Sequence, residues 1–149
     1  MNNEPIIIEQ VVDAAVEKVW DALTIPELMK QWYFDIPGFR ADIGFEFQFE
    51  GGTETHKYIH KCRITESIPG RKLSHSWRYE GYEGNSLVSF ELNPEGKKTR
   101  VRLTHSGLET FPSTNPDFAK ENFVQGWTEI VGSSLKKFLE GSPVHASNT

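Results

Sequence analysis

A chain of 149 residues with 37% hydrophobic side chains and a formal net charge of −5 carries enough apolar material for one core of moderate size. The acidic balance argues against a protein whose main task is gripping phosphate backbones, because that affinity comes from neutralising lysines and arginines. With Cys62 as the single cysteine, neither an internal disulfide nor a cysteine-based zinc site can be built from this chain alone, and a buried apolar thiol is the simplest reading.

The opening MNNEPIIIEQ has no basic start leading into an apolar run of signal-peptide length, and no later stretch is long enough to span a bilayer. A cytoplasmic protein with no membrane span and no nucleic-acid partner is therefore expected. The β-branched run Ile6–Val12 predicts a strand. Asp13 stands where an N-cap is wanted, ahead of a helix over Ala14–Leu23 whose apolar positions Ala15, Val16, Val19, Trp20 and Leu23 repeat at helical spacing. Thr24 and Glu27 form a T-x-x-E capping pattern, with Pro26 tolerated in the first turn, which predicts a second short helix over Pro26–Trp32.

From Asp42 the period changes to two. Phe45, Phe47 and Phe49 alternate with polar residues, and Gly51-Gly52 is expected to turn the chain into the next strand. Tyr58, His60, Cys62 and Ile64 share one strand face; after the turn at Ile68-Pro69-Gly70, so do Leu73, His75, Trp77 and Tyr79. Val88, Phe90 and Leu92 follow, and after Asn93-Pro94-Glu95-Gly96 come Val101, Leu103 and His105. Asn115 is placed to cap a helix opening with Pro116 and Asp117 and stopping at Gly141, a span of about 24 residues and roughly 36 Å. Residues 1–141 are expected to form one domain, and 142–149 a disordered tail.

On the last helix Phe123, Trp127, Ile130, Val131, Ser134 and Phe138 make a stripe roughly 100° wide that should meet the sheet. Two glycines interrupt it. Gly126, at the stripe's flank, is expected to permit close backbone approach beside Trp127, and Gly132, on the far side, to fit a bend, since each costs about 1 kcal/mol relative to alanine. The bland alternative is that Trp127 is simply the largest core residue and the glycines are packing accommodations.

The order strand, two short helices, about six antiparallel strands and a long helix is an α+β layout with helices on one side of the sheet. The segments VEKVWDALTIPELMKQWY (Val16–Tyr33), ESIPGRKLSHSW (Glu66–Trp77), VSFELNPEG (Val88–Gly96), TRVRLTHSGL (Thr99–Leu108) and GWTEIVGSSLKKFLE (Gly126–Glu140) resemble the homologues of the activator of the heat-shock protein 90 ATPase. That family lies within the START-like (SRPBCC, helix-grip) superfamily. The resemblance implies a curved sheet gripping the last helix, with an apolar cavity between them. Two departures stand out: Ile25 replaces an acidic or amide cap, and His75 and Ser76 place polar groups in a strand that is usually more apolar.

Centring the β-hairpin on Pro69-Gly70 sets Ile64 near His75, Cys62 near Trp77 and His60 near Tyr79, with a slip of one residue allowed. Those side chains, with Trp32, Phe47, Tyr58, Phe90, Phe123, Trp127 and Val131, are the candidate lining of a site for a small hydrophobic or aromatic molecule; a filled core is the alternative. Trp32, Tyr33 and Phe34 stand either at the cavity mouth or as a plug joining the helical corner to the sheet. No metal or cofactor is expected, because on a strand His56 and His60 lie about 13 Å apart. A chaperone is the alternative partner implied by the resemblance. It is weakened because a separate N-terminal domain assists in those proteins, whereas this chain opens directly on the first strand. A cyclase-like or hydrolase-like enzyme using His60, His75 or His105 is the third reading, and the chain lacks any nucleophile or paired-carboxylate motif to support it.

Overall fold

The run Ile6–Val12 forms β1 as its β-branched composition predicts, and the computed structural model describes residues 4–52 and 57–140. Two short helices follow, α1 (Val16–Thr24) and α2 (Pro26–Met29). Five more strands come next: β2 (Glu46–Gly52), β3 (Lys57–Ile68), β4 (Lys72–Tyr79), β5 (Ser86–Glu95) and β6 (Lys98–Ser106). Together they make a curved six-stranded antiparallel sheet in the order β1-β6-β5-β4-β3-β2. The last helix comprises α3 (Lys120–Glu129), a π-helical stretch Ile130–Leu135 and α4 (Lys136–Leu139).

The hairpin register follows the hydrophobic alternation. Ile64 pairs with His75 and His60 with Tyr79, and the shift of one residue falls after Ile64, between it and Glu66. Placing the bulge near the turn leaves the inward set of β3 intact. Gly70 and Gly96 close the β3–β4 and β5–β6 turns at φ 76° and 66°, where a side chain would be strained. Gly51 and Gly52 do not turn the chain: they pair with Tyr58 and Lys57 as the last residues of β2. A Cβ on Gly51 would sit 2.9 Å from the His60 ring, so the glycine makes room for that imidazole.

The helix starts differ from expectation. Asp13 does not cap α1, whose N-cap is Ala15 with no side-chain bond. The Asp13 amide instead donates to Glu140 Oε2 at 3.0 Å, and Glu140 also accepts from Lys136 at 2.7 Å, so the end of the last helix is tied to the β1–α1 connection. The Thr24 hydroxyl donates back to the Trp20 carbonyl, so the T-x-x-E box is not formed and Ile25 occupies the N-cap of α2. Asn115 does cap, accepting from the Asp117 amide at 2.9 Å, but it caps a separate 3₁₀ turn (Pro116–Phe118). The continuous helix starts only at Lys120. The expected tail, 142–149, and the expected stop, Gly141, lie outside the described residues.

The two interior glycines separate cleanly. Gly132 falls in the π-helical stretch, and its carbonyl accepts from Gln10 Nε2 of β1 at 3.1 Å. A widened turn frees a carbonyl, and the strand supplies the donor. Gly126 is exposed, and a Cβ there would meet nothing within 4 Å. It therefore permits no close approach, contrary to the sequence reading. Gly126→Ala is expected to stabilise the protein by about 1 kcal/mol, seen as a higher urea midpoint at unchanged slope; a lower midpoint would mean that the glycine has a partner.

Candidate functional site

The register places alternate residues of β2 to β6 on one concave face, and an aromatic wall results. Phe49 stacks on His60 with centroids 4.6 Å apart, and Trp77 meets the edge of His60 at 4.9 Å. Trp127, from α3, sits 5.4 Å from Trp77 and 6.4 Å from Tyr33. Beneath the last helix Trp127, Val131 and Leu135 are 3%, 0% and 0% exposed, so the space expected to be hollow is filled by side chains.

Three histidines are buried in this wall, and burial sets their chemistry. The Trp127 indole can only donate, and it donates to His105 Nδ1 at 2.9 Å. His105 must then carry its proton on Nε2, 2.8 Å from Ser86 Oγ, and the Ser86 hydroxyl donates to the Trp77 carbonyl at 2.7 Å. Both ring nitrogens are used, and burial, helped by His75, lowers the pKa to about 3. Desolvation also lowers His60 and His75 to about 4, against smaller opposing effects of backbone hydrogen bonds. All three are neutral at pH 7.

A cavity of about 10 Å³ lies under the helical corner, lined by Leu23, Met29, Tyr33, Phe47, His75 and Phe90 among others. The Tyr33 hydroxyl is buried with no hydrogen-bond partner among the described residues. Desolvation, then the nearby Cys62 and Tyr79, raises its pKa well above the ordinary phenol value. His75 Nδ1 is 2.9 Å from the Ser76 carbonyl, which can only accept, so the ring lone pair falls on Nε2. On the outer face a broad groove of about 500 Å³ is lined by both signs of charge, Glu46 with Lys61, Arg63 and Arg78. Among the described residues no group of three or more His, Cys, Asp or Glu could hold a metal ion, and His56 lies outside them. No helix among them is long and apolar enough to cross a membrane.

A sheet of this order closed by a helix of this length is a known arrangement, and a family model described as Activator of Hsp90 ATPase homolog 1-like protein matches residues 13–140. The chain belongs to this family. A curated member from Mus musculus, activator of 90 kDa heat shock protein ATPase homolog 2, is 23% identical over 133 residues, covering 85% of this chain and 38% of the relative. The chain thus spans less than half the length of the curated relative it matches. The crystal structure of CalU16 from Micromonospora echinospora is 28% identical with TM-score 0.71, over 93% of this chain and 76% of that one. The solution structure of the Aha1 dimer from Colwellia psychrerythraea is 25% identical with TM-score 0.67, over 91% and 96%. The MLL2253 protein of Mesorhizobium loti, 23% identical with TM-score 0.75 over 93% and 98%, shows the shared fold.

In this member of the Activator of Hsp90 ATPase homolog 1-like family the candidate residues divide into three places. Trp32, Phe47, His75 and Phe90 line the cavity. His60, Trp77 and Trp127 form the packed wall, with Val131 buried along the same helix. Tyr58 and Phe123 sit towards the other end, where Tyr58 donates to Asp117 at 2.6 Å and Phe123 stacks on Phe111 at 6.2 Å, and Tyr79 joins the two, accepting from Trp77 Nε1 at 2.9 Å and stacking on Phe118 at 4.7 Å. Trp32 acts as a plug, donating to the Ala22 carbonyl at 2.9 Å, and Phe34 stacks on Phe49 at 4.2 Å. Of the cavity lining, Leu23, Met29, Phe39 and Leu73 were absent from the sequence-derived candidates, and Tyr33 was placed only at the mouth or in the plug. The triplet Trp32-Tyr33-Phe34 signalled an aromatic corner, yet nothing in it showed that the Tyr33 hydroxyl turns inward.

Proposed function

We propose that this protein binds a small neutral aromatic or hydrophobic molecule, received under α2 and the Trp32–Phe34 segment against the inner face of β2 to β4. The observation that supports this reading most directly is the aromatic-lined cavity beneath that corner, where Tyr33 and His75 offer polar atoms inside an apolar lining. Such a lining, mostly apolar with few polar points, is the usual make-up of a small-molecule site. At about 10 Å³ the cavity holds no guest of that size unless Tyr33 and Phe34, both half-buried, swing away. The apparent affinity is then reduced by the fraction of molecules with the corner open. A titration of the labelled protein with naphthalene, 2-naphthol and a medium-chain fatty acid, followed by two-dimensional NMR, tests it. Saturable shifts at Tyr33, Phe47 and His75 are expected, and no response to any compound would defeat the reading.

A second reading, stimulation of a chaperone ATPase, is favoured by the printed descriptions of the family and of the mouse relative. Since only 38% of that relative is matched, its activity stands here as a proposal. Co-purification with the 90 kDa heat-shock protein and an ATPase assay test it, and absence of both at high micromolar concentration would dismiss it. A cavity-histidine enzyme has little support. His105 has no free nitrogen, and a general base needs a pKa near working pH, which burial denies to all three histidines.

A further inference from the structure

We propose that the outer face of the sheet carries a second site, at which Lys61, Arg78 and the Ser76 hydroxyl hold a phosphate group, either the free ion or that of a small phosphomonoester. The site does not depend on the binding function above, because the sheet separates it from the cavity.

It begins at an interruption in the β3–β4 ladder. Lys61 pairs with Arg78 and Ile64 with His75, but between them the Arg63 amide donates to Ser76 Oγ at 3.0 Å, while the Ser76 carbonyl accepts from His75 Nδ1 at 2.9 Å. The imidazole has taken the carbonyl that a regular antiparallel pair offers to the facing amide, and the serine side chain has stepped in as the replacement acceptor. A backbone amide can only donate, so the Ser76 O–H keeps its own proton, with no acceptor among the described residues. Ser76 is half-buried and lines the outer groove together with Lys61, Arg63 and Arg78. His75 and Ser76 are the two polar departures noted in this strand, and together they produce this unspent donor.

Charge supplies a second, independent observation. Lys61 and Arg78 stand directly opposite one another, and like charges in that position destabilise a sheet. On its other side Lys61 pairs with Gln48, and Asn85 lines the same groove, so the neighbours along this row are neutral amides. The nearest acids hold the cations weakly. Lys61 is 4.0 Å from Glu80 and Arg63 is 3.9 Å from Glu46, with both carboxylates more than half exposed, and Arg78 makes no ion pair among the described residues. Burial raises the pKa of the Cys62 thiol and the Arg78 charge partly opposes that rise, as expected of a guanidinium lying back over β3.

The spacing suits a small anion. Opposite residues set their Cβ atoms about 5 Å apart, and alternate residues along a strand lie about 6.6 Å apart. Lys61, Arg63, Ser76 and Arg78 therefore mark a small rectangle in which long cationic side chains can close over a short hydroxyl. Donors reach the anion from the floor and from two sides. A tetrahedral phosphate has an oxygen for each of them, whereas a carboxylate offers only two oxygens in one plane. A phosphomonoester also carries about two negative charges at neutral pH, enough to offset the repulsion between Lys61 and Arg78. A long polyanion is disfavoured by the net charge of −5.

The test uses the full chain at low, constant ionic strength, with inorganic phosphate, methyl phosphate and acetate as probes. In nitrogen-15 NMR titrations, saturable shifts are expected at the amides of Lys61, Arg63, Ser76 and Arg78, and acetate should bind about tenfold more weakly than the better phosphate. Whichever phosphate binds more tightly identifies the source of the group. Arg78→Gln should weaken that binding about tenfold and, because it removes a repulsion, leave the phosphate-free protein at least as stable in a urea melt. Lys61→Gln should do the same, so the result does not rest on one variant keeping its fold. Phosphate shifts no larger than those of chloride at equal ionic strength overturn the site, as does phosphate affinity that both variants retain. Acetate binding as tightly as phosphate overturns the assignment to a tetrahedral group. Cavity guests are read at Tyr33, Phe47 and His75, so failure of either site leaves the other standing.

Discussion

Lowering the pH from 7 to 5 is expected to remove about 5 kcal/mol of stability from this protein. The cause is three buried neutral histidines. His60 and His75 have folded pKa values lowered to about 4 and His105 to about 3, whereas an unfolded histidine titrates near pH ~6.5. Below that value the unfolded chain takes up protons that the folded one refuses. The sign follows directly: more protons on the unfolded state means that stability falls as pH falls. Each histidine contributes about 1.4 kcal/mol per pH unit in that window, about 4 kcal/mol for the three together. The loss begins near pH ~6.5 and runs down to the folded values. Carried down to pH ~4 the same three groups remove roughly 8 kcal/mol, a large share of the about 5–15 kcal/mol by which whole domains are stable. Urea melts at pH 7, 6 and 5 check this, and His60→Phe should flatten the slope by about a third. A stability that is level between pH 7 and 5 would show that the three imidazoles charge without unfolding the protein.

Trp127→Phe should cost about 3 kcal/mol, more than loss of the indole's apolar area alone. Among the described residues the indole is the only donor to His105 Nδ1, and His105 is 0% exposed, so its lone pair is left unpaired where water does not reach it. The substitution also thins the contacts of Trp127 with Trp77 and Phe90, at 5.4 and 6.1 Å. Denaturant melts give the magnitude. A nitrogen-15 spectrum of the imidazole gives the mechanism, because His105 is expected to hold its proton on Nε2 in the parent and to lose that preference in the variant. Ser86→Ala attacks the other end of the same relay, so the double variant should fall short of the sum of the two single losses. Full additivity would mean that Trp127, His105 and Ser86 do not act as one chain.

The strands and their inward faces were legible because alternation is a local property, and the apolar and histidine positions from Tyr58 to His105 were read from a period of two, whereas the buried hydroxyls of Ser86 and Thr99 were not. The hairpin pairing of His60 with Tyr79 followed from where a turn had to be. The helix caps were misread for a related reason. Asp13 and Thr24 are good capping residues in isolation, but Glu140, far along the chain, claims the Asp13 amide, and the Thr24 hydroxyl bonds back to Trp20. Gly51 illustrates the same limit. A glycine pair after a strand suggests a turn, whereas here the missing side chain makes space for an imidazole on the neighbouring strand.

Composition and periodicity alone determined the α+β architecture, the element order, the β3–β4 pairing to within one residue and an aromatic, histidine-bearing inner face, since these depend on which side chains avoid water along each segment. Only the tertiary structure decided that the space under Trp127 is filled, that the cavity lies beneath the helical corner, and that His105 is consumed in a relay while the Tyr33 hydroxyl is left with no hydrogen-bond partner among the described residues. Those outcomes turn on the direction of single N–H and O–H groups and on a few cubic ångströms of packing, which arise when distant segments meet.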